Sequence, residues 1–166
     1  MNRELLSSAR PMRLAFSSNG FVNFPLQQAI DDIAAAGYEG IEILCDQPHA
    51  VPERLSAEDR KSSPEAVKAA GLGISNLNAF PTWFMGDTYR PTWIDPGEAE
   101  LRIAHTRRCL ELAAEWGVKH LSTSPGGPIE PGEDRQAALE RFRRGLETLY
   151  PDCRRTGVRI LVEPEP

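Results

Sequence analysis

Apolar positions along the chain follow two rhythms. In GIEIL (Gly40–Leu44) and VRILVE (Val158–Glu163), branched residues alternate with polar or charged ones, the period of two expected of β-strands. Between such stretches the spacing lengthens. Leu26, Ala29, Ile30 and Ile33 fall on one stripe, and Leu101, Ala104, Cys109, Leu112, Ala113 and Trp116 on another, as on the buried face of a helix. The passage from helix to strand recurs four times, as AAAGYEGIEIL, VKAAGLGISNL, AAEWGVKHLS and CRRTGVRILV. Gly37, Gly71, Gly117 and Gly157 each suit a helix end that needs a left-handed residue. They stand 34, 46 and 40 residues apart, about the length of one strand–helix unit.

These marks predict strands near Arg13–Ser17, Ile41–Cys45, Gly73–Asn78, Val118–Thr123 and Val158–Glu163. Helices are expected over Pro25–Ala36, Ser56–Ala70, Glu98–Trp116 and about Glu133–Thr156. Pro25 and Pro96 suit a first helical turn, where no N–H is required. Pro64 is expected to interrupt the second helix and split it, and Pro151 to bend the last. Strands alternating with helices imply an α/β fold with a parallel sheet and right-handed crossovers, so every strand's carboxyl end lies on one face. Ligands bind at that face in such folds. Two architectures compete. At 166 residues a five-stranded doubly wound sheet would be complete, whereas a (β/α)₈ barrel needs about 250 residues. The first loop, SSNGFVNFP, nevertheless lacks a glycine-rich phosphate fingerprint, and the third loop is long and aromatic, which favours barrel repeats.

Composition narrows the function classes. A net charge of −5 without a Lys/Arg stripe argues against nucleic acid as a partner. MNRELLSSARP has no continuous apolar stretch, so residues 1–11 read as a mobile leader rather than a secretory signal or membrane span, and residues 12–166 as one domain. Cys45, Cys109 and Cys153 lie far apart without CxxC spacing, the pattern of reduced thiols in a cytoplasmic protein.

MRLAFSSNGF, LQQAIDDIAAAGYEGIEIL, a strand ending at Asn78, AELRIAHTRRCLELAAEWGVKHLSTSPG and GVRILVEPEP together resemble the xylose isomerase-like TIM-barrel superfamily, particularly its sugar phosphate isomerase/epimerase branch. The resemblance runs from about Met12 to the last residue. It implies a partial TIM barrel of about five strands of eight, the amino-terminal portion. It also implies a divalent metal (Mn, Mg, Co or Zn) held by a Glu after the fifth strand and by Asp, His and Glu after later strands. Glu163 matches the first of these, and reads either as metal ligand and acid/base of proton transfer through an enediolate or as a solvated strand-end carboxylate. The other three ligands would lie beyond Pro166, so the site is expected to be incomplete. The implied ligand is a sugar or sugar phosphate.

Around this centre, several residues carry both a functional and a structural reading. His49, after the second strand, sits where relatives contact a metal or substrate, or is an ordinary loop histidine. Asn76 and Asn78 share one strand face and would bind sugar hydroxyls or satisfy neighbouring backbone. Asn19, after the first strand, is a further substrate-binding candidate. Trp83, with Phe80, Phe84, Tyr89 and Trp93, either caps a sugar or packs on the barrel rim. Ser122–Gly127 offers amides to a phosphate only weakly. Glu42 reads as a hydrogen-bonded structural acid inside the barrel, and His105 and His120 as structural. The rival functions are a non-catalytic, self-associating module and an endonuclease-like barrel.

Overall fold

The computed structural model describes residues 12–81, 84 and 90–164. The residues read as a leader, together with Trp83 and Tyr89, lie outside them. Among the described residues five strands alternate with four α-helices: β1 (Ala15–Ser17), α1 (Leu26–Ala35), β2 (Gly40–Leu44), α2 (Ala57–Ala69), β3 (Gly73–Asn78), α3 (Ala99–Glu115), β4 (His120–Thr123), α4 (Arg135–Thr156) and β5 (Arg159–Val162). A 3₁₀ turn, Ser18–Phe21, follows β1.

All four strand pairs are parallel, and the spatial order is β1-β2-β3-β4-β5. That order decides between the two architectures. A doubly wound sheet reverses its strand order at a switch point, whereas strands laid down strictly in sequence form an arc of a barrel. The fold is α/β and the sheet is a partial TIM barrel.

The two faces of the sheet differ as the alternation requires. Ile41, Ile43, Leu77 and Leu121 are fully buried and join Ile30, Ile33, Val67, Leu110, Leu112 and Leu149 of the helices in one core. The opposite face carries Ser17, Glu42, Asn76, Asn78 and Ser122, with Leu44 and Leu161 beside them. The four glycines expected at helix ends all have positive φ, from 70° to 85°, as a left-handed turn demands.

Two expectations about proline and aromatics need correction. Pro64 does not split α2, which runs unbroken from Ala57 to Ala69 behind a Ser56/Asp59 capping box. Pro64 has no N–H for the carbonyl of Arg60 one turn earlier. The Trp116 indole takes that place and donates to Arg60 O at 2.8 Å. The last helix, α4, spans Arg135–Thr156 with Pro151 inside it. Trp93 is no sugar cap: it is fully buried, donates from Nε1 to Thr123 Oγ1 and meets Phe142 edge-on. Its ring lies against Gly145 of α4, where a Cβ would sit 2.8 Å from the indole.

Candidate functional site

Parallel pairing brings the residue after each strand to one rim. Glu163 follows β5 and is exposed there, and its backbone N–H donates to Thr123 O at 2.8 Å, carrying the β4–β5 pairing one residue further. The rim therefore holds this carboxylate on a fixed backbone.

Behind the rim, on the face turned away from the helices, Glu42 is the hub of a polar network. Its Oε1 accepts from Ser17 Oγ at 2.6 Å and Asn78 Nδ2 at 3.3 Å, and its Oε2 from Asn76 Nδ2 at 2.5 Å and Ser122 Oγ at 3.2 Å. One carboxylate thus links β1, β2, β3 and β4. Asn76 reaches it because β3 is irregular. Ile41 pairs with Ile74 but Glu42 pairs with Asn76, so Ser75 is an extra residue that turns both asparagines to the Glu42 face. Ser75 Oγ is held by donating to Asn76 Oδ1 at 2.8 Å.

The network decides what the asparagines have left to offer. Asn78 Oδ1 accepts from Phe80 N at 3.0 Å while its Nδ2 donates to Glu42. An amide has two donor hydrogens, so one N–H of Asn78 remains beyond these contacts. Asn76 is more fully engaged, since its Nδ2 also donates to Ser122 Oγ at 3.0 Å.

Arg102 was not expected at the site. This α3 residue is fully buried, donates to Pro91 O, Thr123 Oγ1 and Ser124 O, and lies 4.9 Å from the centre of the Phe80 ring. It ties the end of β4 to Pro91 and lies over the Phe80 ring. The signal was present in the sequence: Arg102 falls on the same helical stripe as Thr106 and Cys109, and a charge on a buried stripe needs partners.

Other candidates are placed apart. Asn19 is exposed in the turn after β1, its backbone N–H donating to Ser17 Oγ at 3.2 Å. His49 is 7% exposed and faces the β1–α1 connection, with Nε2 3.2 Å from Phe24 O. A carbonyl only accepts, so Nε2 carries the hydrogen. Burial lowers the His49 pKa, against the opposing pull of the Phe24 and Phe21 carbonyls and the Asp46 charge. His105 is fully buried, paired with Glu53 Oε1 and with Cys109 Sγ, each at 3.3 Å, so its contacts are internal. Burial opposes ionisation of Glu53, but hydrogen bonds from His105 and Arg108 outweigh it and hold the pKa at about 2. Phe84 carries the Arg54 guanidinium 4.6 Å above its ring. In the Ser122–Gly127 turn, Gly126 has a φ of 79° and a Cβ there would meet Thr92 at 3.3 Å, so its geometry follows from packing.

Among the described residues no group of three or more His, Cys, Asp or Glu side chains is placed to hold a metal ion. Glu163 is one hard oxygen donor, and divalent ions of the Mg or Mn kind take about six such ligands. The described residues alone therefore do not make a metal site.

The profile of the xylose isomerase-like TIM barrel family matches residues 30–166. The chain belongs to this family. No curated protein sequence matches it. Solved structures similar to this xylose isomerase-like chain include a D-tagatose 3-epimerase-like protein, with TM-score 0.73 and 20% identity, over 93% of this chain and 54% of that one. A 3-keto-D-glucoside 4-epimerase from E. coli has TM-score 0.69 and 17% identity, over 93% of this chain and 56% of that one. The IolI protein, with a bound zinc atom, has TM-score 0.68 and 20% identity, over 92% and 51%. The chain thus spans about half the length of these structures. No helix among the described residues is long and apolar enough to cross a membrane.

Proposed function

We propose that this chain carries four strand–helix units and a fifth strand of a sugar or sugar phosphate isomerase or epimerase that moves a proton next to a carbonyl through an enediolate. The observation that supports the reading is the exposed Glu163 carboxylate on a fixed strand end, bordering a polar sheet face in a family whose similar structures include sugar epimerases. In this proposal Glu163 takes a proton from the carbon next to a ketose carbonyl and returns it. Return to the same face restores the substrate, and a second carboxylate on the opposite face gives the epimer. Glu163 is also proposed as one ligand of a divalent metal whose remaining ligands are not among the described residues. Asn78, with its remaining N–H, and Asn19 are proposed to contact sugar hydroxyls.

Titration of ¹⁵N-labelled protein with D-fructose and D-tagatose tests the reading. Shifts at Asn78–Phe80, Ser122–Ser124 and Glu163 are expected. Silence there, with binding to abasic-site DNA instead, would overturn it. Ketose interconversion by this chain alone would show that Glu163 needs no further ligands.

One observation favours a second reading, a self-associating module. Arg159 and Glu163 donate toward β4, so Ile160 and Val162 turn their backbone groups away from it, and Leu14, Leu161 and Val162 are exposed at 60%, 45% and 45%. Open edges and apolar flanks invite pairing. A strictly monomeric species in sedimentation equilibrium at high concentration would exclude it.

A further inference from the structure

The connection from β1 to α1, SNGFVNFP over residues 18–25, carries no charged side chain, and only Ser18 in it is buried. A segment with so little buried surface opens locally unless specific ties hold it. Two ties run from it to the end of β2. Ser18 Oγ accepts from Leu44 N at 2.9 Å, and Phe24 O accepts from His49 Nε2 at 3.2 Å. Asn19 lies between the two tied residues in the chain.

His49 forms the fixed side of the second tie. Its backbone N–H donates to Asp46 O at 2.8 Å, the N–H of Ala50 donates to Leu44 O at 3.1 Å, and the residue is 7% exposed. The seat favours the neutral ring. Burial disfavours the charged form, and the Phe24 and Phe21 carbonyls and the Asp46 charge favour it without outweighing burial. Asp46 itself accepts from Gln47 N and Phe84 N, each at 2.7 Å. Arg54, before α2, and Asp59, within it, bring one charge of each sign to the groove that His49 also lines, and α1 adds only the uncharged Leu26, Gln27 and Ile30. A ring released to water titrates near its ordinary 6.5. Acid therefore favours the state in which the ring has left its seat.

We infer that His49 is a positioning residue of the rim: its neutral ring pins the β1–α1 connection to the end of β2 and so sets Asn19, and acid releases the pin. Only the effect on sugar binding rests on the reading of Asn19 as a sugar contact.

Hydrogen exchange of the full chain between pH 8 and 5 tests the pin, read as protection of the Phe24 and Leu44 amides. Both should be less protected than the Ile43 and Leu121 amides of the sheet, the mark of a local opening. Their protection should hold above pH 6.5 and fall below it, by at most about tenfold for each pH unit because one proton is taken up. His49→Gln keeps an N–H for Phe24 O and does not titrate, so its protection should stay level to pH 5. His49→Leu lacks the donor and should lose protection already at pH 8, with circular dichroism showing that it is folded. Equal protection in these two variants, a Phe24 amide as protected as Leu121, or a level profile in the unsubstituted protein would overturn the pin. With D-fructose, the Asn19 shift should weaken below pH 6.5 and persist in His49→Gln. Acid-sensitive protection without any Asn19 shift would support the pin and count against Asn19 as a sugar contact. An Asn19 shift with level protection would overturn the pin and leave that contact intact.

Discussion

Glu42 Oε2 and Asn76 Nδ2 stand 2.5 Å apart across the β2–β3 boundary, and they meet only because Ser75 is an extra residue in β3. The carboxylate accepts from four donors on three neighbouring strands. Glu42→Gln keeps the shape but sets an NH₂ group against those donors. Chemical denaturation should show a loss of about 1–3 kcal/mol, the cost of unmatched buried polar groups. The Asn78 side-chain amide resonances should shift with it. An unchanged midpoint would mean that Glu42 does not organise this face.

The Trp116–Arg60 bond makes a separate prediction. Trp116→Phe retains a ring but leaves Arg60 O without its donor, so it should destabilise by about 1 kcal/mol. In a Pro64→Ala background residue 64 regains an N–H for Arg60 O, and the same substitution should cost less. Equal losses in both backgrounds, measured by a double-mutant cycle, would show that the indole does not replace the helical bond.

Acid sensitivity follows from two groups with opposite charge types. Glu53 falls from an ordinary 4.5 to about 2 in the folded chain, so its stabilisation is complete above pH 4.5 and lost as pH falls toward 2. The loss amounts to at most about 3 kcal/mol. His49 is also lowered, from 6.5, so the unfolded chain takes up its proton first and stability declines as pH falls below 6.5. Urea unfolding from pH 8 to 3 should therefore show two descending segments. Glu53→Gln should flatten the lower one and His49→Gln the upper; a flat profile in the unsubstituted protein would contradict both assignments.

The fold was largely legible because its signals are local. Period-two runs, helical stripes and the glycines at 37, 71, 117 and 157 each reflect backbone geometry that neighbouring residues impose, and the corresponding elements are present. Glu42 was also readable, since it faces opposite to Ile41 and Ile43 in GIEIL. What escaped depends on partners distant in sequence. Pro64 reads as a helix breaker until Trp116, 52 positions on, supplies the donor. Trp93 reads equally as sugar cap or rim packing until Gly145 opens space beside its ring. The irregular pairing at Ser75 has no sequence mark, and without it the partners of Asn76 cannot be assigned. Glu163 was found through family resemblance, because alternation alone describes it as the polar end of a strand.

The central claim is that Glu163 belongs to a strand-end metal and proton-transfer site for which the described residues provide too few ligands. Calorimetric titration of the chain with Mn²⁺, beside Glu163→Gln, tests it most directly. The account predicts dissociation constants no tighter than about a millimolar, the weak end of oxygen-ligand sites, with the heat of binding lost in the variant. Micromolar binding abolished by Glu163→Gln would contradict it by showing a complete site, and binding unaffected by that substitution would remove Glu163 from the site altogether.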